Sequence, residues 1–301
     1  EQFHLYTYGS TSRHISGKAV RQITGTPDGG ILLATEDGGL NYIDKDGNIT
    51  RAETIHRKLG IEAKNIHSVE ISSDGSLLVG LFLKGLVKYD PVSGKTTDFG
   101  KIAEKGSSGF CIHETEDGRI YYGGPSGLFA VSDKEKPAVR KICHLSSFCF
   151  LPREDGTVLI GTRKNGICLL DTENDRTDTL SIPPLDNLFI TYLYRGHDGN
   201  IYVGTNNNGL FVLDSDLRIK RTYTKAEIFS NGIKGIIEDK KENLWVGTDN
   251  GLINIDSSTG NIFRYTVTDG LPANQLNYAS AYMDSSGQVY FGTIDGLVSF
   301  Y

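Results

Sequence analysis

The chain has 301 residues, a formal net charge of −6, 36 glycines, 8 prolines and a single methionine. No apolar run approaches the ~18 residues that span a bilayer, so no direct membrane contact is expected, and the scattered Lys and Arg argue against a nucleic-acid partner. A glycine-rich, methionine-poor chain suits short strands and tight turns, and no window shows a helical period over several turns.

In chain order, EQFHLYTYGS lacks the basic-then-apolar plan of a signal peptide, and FHLYTY (3–8) reads as a strand without a partner nearby. Seven related copies follow: ILLATEDGGL (31–40), LLVGLFLKGL (77–86), IYYGGPSGL (120–128), VLIGTRKNGI (158–167), IYVGTNNNGL (201–210), LWVGTDNGL (244–252) and VYFGTIDGL (289–297). Their small anchor residues, Ala34, Gly80, Gly123, Gly161, Gly204, Gly247 and Gly292, are 46, 43, 38, 43, 43 and 45 residues apart. A period of about 40–45 is that of a four-stranded propeller blade. The expected fold is all-β: one seven-bladed β-propeller of antiparallel blades over 1–301, read as an excised piece of something larger.

Within a blade, inner strand A (VRQIT, IHSVEI, FCFL, ITYLY, YASAYM) meets anchor strand B through a hairpin. Its glycine, 29, 75, 118, 156, 199 or 287, supplies the positive φ of a two-residue loop, with Glu242 the exception. Strand C follows and ends at Asp44, Asp90, Asp171, Asp214 or Asp256, with Ser132 in blade three. These aspartates are read as caps of the next turn. Outer strands D are ITRAETI (49–55), RIKRTYT (218–224) and NIFRYTV (261–267). The seventh copy lacks a D strand, so FHLYTY is predicted to pair with GLVSFY (296–301) and close the ring.

Cys111 and Cys149 occupy equivalent inner-strand positions and are expected to be buried free thiols rather than a disulfide. No Cys/His spacing suggests zinc, no segment has the carboxylate density of a calcium loop, and no histidine lies in a catalytic motif, so no metal, cofactor or catalytic residue is expected. Thr162, Thr205, Thr248 and Thr293 read as ordinary strand-end residues.

Function is then sought where the copies differ. The D-to-A and B-to-C loops share one face of a propeller, and the unequal loops 10–18, 56–65, 100–109, 182–188 and 266–277 all fall there. Thirteen residues before each anchor stand Arg21, His67, Phe110, Phe148, Thr191, Lys234 and Ala279, placed at the channel mouth. Phe110 and Phe148 read equally as a plug. The candidate ligand-binding residues are Arg13, His14, Arg21, His67, Phe110, Phe148, Tyr192, Asn206, Lys234, Asn274, Gln275 and Tyr278. Amides, cations and aromatic faces together suit a sugar, and the basic loops of blades one to three (Arg13, Lys18, Arg57, Lys58, Lys64, Lys101, Lys105) point to an anionic one.

LWVGTDNGLINID (244–256) and the closing segment from TDGLPANQLNY (268–278) resemble the two-component regulator propeller repeat. The NLWVGT core is sharp in blades four to seven, and blades one to three depart from it. The resemblance implies a periplasmic sensor module, part of a larger membrane-anchored hybrid two-component system, that binds an oligosaccharide and regulates a kinase and glycan-utilisation genes. Its implied partners are a second propeller and a β-sandwich in the same chain, with possible homodimerisation. The fragment itself would not be an enzyme. The competing readings are a protein-interaction platform without a small ligand and a propeller lyase or hydrolase.

Overall fold

The computed structural model describes residues 2–133 and 135–301. Each repeat copy folds into one four-stranded antiparallel sheet, and seven such sheets are present. Blade two is typical, with inner strand Ile66–Ile71, then Leu77–Leu81, Gly85–Asp90 and outer strand Lys95–Asp98. The anchor strands Ile31–Thr35, Leu77–Leu81, Ile120–Gly124, Val158–Thr162, Leu244–Thr248 and Val289–Thr293 are buried along their full length, as strands covered on both faces must be.

Apolar clusters form between neighbouring sheets: Leu32, Leu40, Ile66 and Val79 share one, and Leu159, Ile190, Val203 and Leu213 another. The anchor glycines sit where the next inner strand crosses. A Cβ on Gly80 would lie 2.1 Å from the carbonyl oxygen of Gly109, and one on Gly292 would lie 2.5 Å from that of Val20. Glycine there permits the close approach of blade to blade.

The ring closes as the sequence predicts. His4–Tyr6 pairs antiparallel with Gly296–Phe300 in the blade that also holds Val289–Thr293 and Leu276–Met283. Phe3 packs edge-on against Tyr265 and Phe300, with ring centres 5.6 and 5.5 Å apart, tying the N-terminal strand to both blade six and blade seven.

Three expectations are corrected. The segment 49–55 is not a full outer strand: only Ile49–Thr50 pairs, and Ala52–Leu59 is an α-helix (α1). Its inward face carries Ala52, His56 and Leu59, and the Leu40 amide donates to His56 Nε2 at 2.9 Å. Tertiary burial, not propensity, makes this short helix. A second helical turn, Lys225–Ile228 (α2), begins with a capping box between Thr224 and Glu227. Lastly, the A-to-B hairpins are three-residue connections rather than two-residue ones. In blade one the Gly29 amide donates to the Thr26 carbonyl and the Thr26 amide to the Gly30 carbonyl, leaving Gly29 at φ 87°. Glu242 takes the same left-handed conformation, at φ 65°.

The turn aspartates act as predicted. Asp44 Oδ1 accepts the amides of Asp46 and Asn48, and Asp256 Oδ1 those of Ser258 and Thr259. The strand-end threonines form a second repeated device: the hydroxyls of Thr162, Thr205, Thr248 and Thr293 donate to the carbonyls of Gly166, Gly209, Gly251 and Gly296. Each also accepts an amide within the same B-to-C loop, so these hydroxyls are consumed by the scaffold.

Candidate functional site

A backbone feature that the sequence does not reveal creates the channel mouth. The inner strands of blades one, two, four, five and six shift register near their starts, so that Arg21, His67, Phe148, Thr191 and Lys234 have no ladder partner. A bulge re-aims one residue out of the alternating pattern, and here Arg21, His67, Phe148 and Lys234 converge on the rings of Phe110 and Tyr278. Blade seven has a longer interruption, between Leu276 and Ala281.

Arg21 is the hub. Its guanidinium lies 5.2, 5.3 and 5.1 Å from the ring centres of Phe110, Phe148 and Tyr278, and its Nη1 is 2.6 Å from Glu36 Oε1. Burial works against the charge, while Glu36 and the three ring faces support it. Lys234 Nζ lies 3.6 Å from the Tyr278 ring centre and 3.1 Å from Asp249 Oδ1. His67 stacks flat on Phe110, with centroids 4.1 Å apart and planes at 7°. Burial, with the Arg21 charge as the lesser cause, pushes His67 down to about 3, so its imidazole is neutral at physiological pH.

Around this hub runs a belt of rings on the variable face. Phe82 stacks beside His67 at 5.5 Å; Phe110 meets Phe148 edge-on at 5.8 Å; Phe148 meets Phe189 at 4.7 Å and Tyr278 at 5.2 Å. Phe82 is 37% exposed, and Phe110, Phe148, Phe189 and Tyr278 are half-buried, leaving ring surface open toward solvent. Arg163 lies over Phe189, and the Tyr278 hydroxyl donates to Asn206 Oδ1 at 2.8 Å.

Of the residues singled out in the sequence, Arg21, His67, Phe110, Phe148, Lys234, Tyr278 and Asn206 come together. The others lie elsewhere. Arg13 is exposed in the first loop, and His14 bonds to Thr11 Oγ1 at 2.6 Å. Asn274 Oδ1 accepts the Val267 amide, Gln275 is exposed with its carbonyl holding the Ile294 amide, and Tyr192 lines the channel below the plug. One channel-facing assignment is corrected: Thr191 is fully buried, donating to the Ile233 carbonyl at 2.6 Å. Ala279 does line the channel, and the long interruption in blade seven brings its neighbour Tyr278 to the hub. Phe82 and Phe189 were not anticipated. Phe82 had a signal, since an apolar residue replaces the polar loop residue after the anchor strand; Phe189, just outside its strand, had none.

Below the plug lies a small cavity of about 190 Å³ lined by Gln22, Glu70, Cys111, Cys149 and Tyr192 among others. Burial pushes the Glu70 carboxyl up to about 7, although Gln22 Nε2 donates to it at 3.1 Å. All four thiols are free, and Cys111, Cys149 and Cys168 are buried. Among the described residues no group of three or more His, Cys, Asp or Glu is placed to hold a metal ion, and no helix is long and apolar enough to cross a membrane.

A larger groove of about 840 Å³ lies over blade two on the variable face, between loops 57–63 and 100–106. Its lining includes Leu59, Ile61, Leu81 and Val87, with Arg57, Lys58, Lys84, Lys101 and Lys105 around it. Leu83, 56% exposed and at φ 56°, stands at its edge on the same loop as Phe82.

Residues 184–207 and 227–250 match the model of the two component regulator propeller. No curated protein matches the chain. Its fold is shared with the extracellular domain of a protein described as a hybrid two component system from B. thetaiotaomicron (TM-score 0.83, 20% identity, 99% of this chain and 41% of that one). A protein of the same organism described as a one component system is similar (TM-score 0.77, 19% identity, 99% and 40% covered). So is virginiamycin B lyase from Staphylococcus aureus (TM-score 0.75, 15% identity, 99% and 98% covered). The chain thus spans about two fifths of the first two structures, and at these identities the likeness establishes the fold alone.

Proposed function

We propose that this propeller is a ligand-sensing module of an extracytoplasmic receptor of the two-component type, and that it takes an oligosaccharide on its variable face. The carrying observation is the aromatic belt Phe82, Phe110, Phe148, Phe189 and Tyr278, which crosses the channel mouth and joins blades two, three, four, five and seven. Sugar rings present flat CH faces that stack on aromatic surface, and their hydroxyls are met by amides and cations at the edge, here Asn206 and Arg163.

The sealed hub has a separate task. Arg21 and Lys234 are each paired with a carboxylate and covered by rings, so they fix the platform rather than reach for ligand. Such preorganisation lowers the cost of binding, because the rings need not be ordered when a sugar arrives.

In this reading the propeller occupies the periplasm as part of a longer chain with a second propeller and a β-sandwich, and the receptor works as a dimer. Signalling follows from differential affinity: a glycan that binds one arrangement of the assembly better than another shifts the population toward it, which regulates the kinase. The module itself performs no chemistry. For the lyase reading, the shared fold is the sole support, since the ionisable groups at the mouth are buried beneath aromatic rings.

Thermal-shift screening of the propeller against defined plant and host oligosaccharides tests the binding claim, because a ligand of the folded state raises stability by RT ln(1 + [L]/Kd). A glycan that raises Tm for the native protein but not for Phe189→Ala supports it. If no saccharide shifts either protein, or if both shift equally, the belt is not a saccharide site.

A further inference from the structure

We infer that the groove over blade two is a second subsite, and that it selects an oligosaccharide bearing carboxylate or sulfate groups. This rests on the saccharide reading above and adds the class of sugar and the place where its charge is read.

Size and enclosure come first. A volume of about 840 Å³ lies within the range of small-molecule sites, roughly 300–1,000 Å³, and exceeds the cavity beneath the plug more than fourfold. The floor is built and rigid: Leu59, Ile61, Leu81 and Val87 are buried, and Thr96 Oγ1 ties the end of α1 to the outer strand by donating to the Leu59 carbonyl at 2.7 Å.

The charge is the second observation. Five basic side chains line the groove against two acidic ones, Glu62 and Asp98. Lys101 lies 3.8 Å from Asp98, but among the described residues Arg57, Lys58, Lys84 and Lys105 have no carboxylate within ion-pairing distance. The whole chain carries net charge −6, so a concentration of unpaired cations around one concavity runs against its overall balance. Fixed positive charge in a concave site draws anions.

Continuity with the belt chooses a saccharide over a polypeptide. Phe82 belongs to the belt, while Leu81, Leu83 and Lys84 line the groove, so the end of the anchor strand and the three-residue loop after it span both. A glycan stacked on the belt would pass over that loop into the groove, where Lys84 and Lys105 meet its acidic groups. Lysine and arginine contacts to carboxylate or sulfate are charge-assisted and stronger than neutral hydrogen bonds.

The experiment is calorimetric titration of the propeller with four probes of matched length: an oligogalacturonate, a chondroitin sulfate oligosaccharide, a neutral xylo-oligosaccharide and an oligoglutamate. Each is repeated on Lys84→Gln/Lys105→Gln, on Arg57→Gln and on Phe189→Ala. All are exposed or half-buried positions, and circular dichroism melts confirm that each variant folds. We expect one acidic saccharide to bind more tightly than the neutral one. The double variant should weaken it about tenfold while leaving neutral-sugar affinity unchanged, since only charge-assisted contacts are removed. The carboxylate and sulfate arms identify which anion is read.

Binding of neutral sugar alone would overturn the second subsite and leave the sensing proposal intact. Acidic-sugar binding that ignores the double variant and Arg57→Gln would do the same for the groove. Oligoglutamate binding as tight as the acidic sugar would reassign the groove to polypeptide. Silence from all four probes, with no Phe189 effect, would remove both proposals together.

Discussion

Blades six and two are built on the same four-strand plan, yet they use their B-to-C loops in opposite ways. In blade six, Thr248 donates to the Gly251 carbonyl and accepts the Asn250 amide, so the loop is closed on itself. In blade two the equivalent residue is Leu81; the loop instead borrows Ser108 Oγ of the next blade, which accepts the Leu83 amide at 2.8 Å. Freed from the threonine lock, the blade-two loop exposes Phe82 and holds Leu83 in the left-handed region. Where the repeat is regular its polar atoms are spent on the scaffold; where it lapses, side chains are left for solvent and ligand.

If this division is sound, damage to the regular part should fall on stability, and damage to the lapsed part on binding. The largest effect is expected from deleting residues 1–8, which removes the clasp with Gly296–Phe300 and the packing of Phe3. A loss of about 4 kcal/mol, several degrees in melting temperature, follows from the half-buried Phe3 plus the ladder bonds. An unchanged melt would refute closure.

Next is Trp245→Ala in blade six. The indole is buried, contacts Phe300 at 4.4 Å, and donates through Nε1 to Asp239 at 2.9 Å. The substitution should cost about 3–5 kcal/mol by denaturant unfolding without touching saccharide affinity. Phe82→Ala should reverse the pattern, with stability within about 0.5 kcal/mol and affinity reduced. Equal stability costs for the two would erase the distinction between the blades.

Glu70→Gln sharpens the contrast with pH. The carboxyl is raised from 4.5 to about 7 by burial, so ionisation opposes folding. Stability tied to its protonated form is complete below about pH 4.5 and is lost as pH rises through 7. The variant should match the native melt at pH 4.5 and exceed it at pH 8; a gap that instead opens at low pH would contradict the assignment. The smallest effect concerns Glu242, the one non-glycine at its turn position. Glu242→Gly should stabilise by about 1 kcal/mol through relief of the left-handed backbone, seen as a higher denaturant midpoint at constant slope.

The ring, the turn aspartates and the terminal clasp were legible in the sequence because each repeats or completes a repeat. The hub was partly legible: the position thirteen residues before the anchor picked out Arg21, His67, Phe110, Phe148 and Lys234 from alignment of the copies alone. It failed at Thr191, whose hydroxyl finds a backbone carbonyl, and it does not reach Tyr278, which a three-residue register shift in blade seven brings to the hub beside the channel-lining Ala279. Bulges depend on how neighbouring blades crowd the channel, and that is a tertiary property. Likewise α1 was missed: eight residues held by His56 and Leu59 carry too little periodicity to distinguish from a strand. The groove it helps to form was visible only as scattered lysines and arginines.

The most direct test of the division is hydrogen exchange of the propeller with and without a saccharide that raises its melting temperature. The account predicts protection at residues 81–85, 108–111, 188–192, 206–209 and 276–279, where the belt and its loops lie, and none at the A-to-B turns 26–30, 72–76 and 239–243. Protection centred on those turns, or spread evenly around all seven blades, would contradict it.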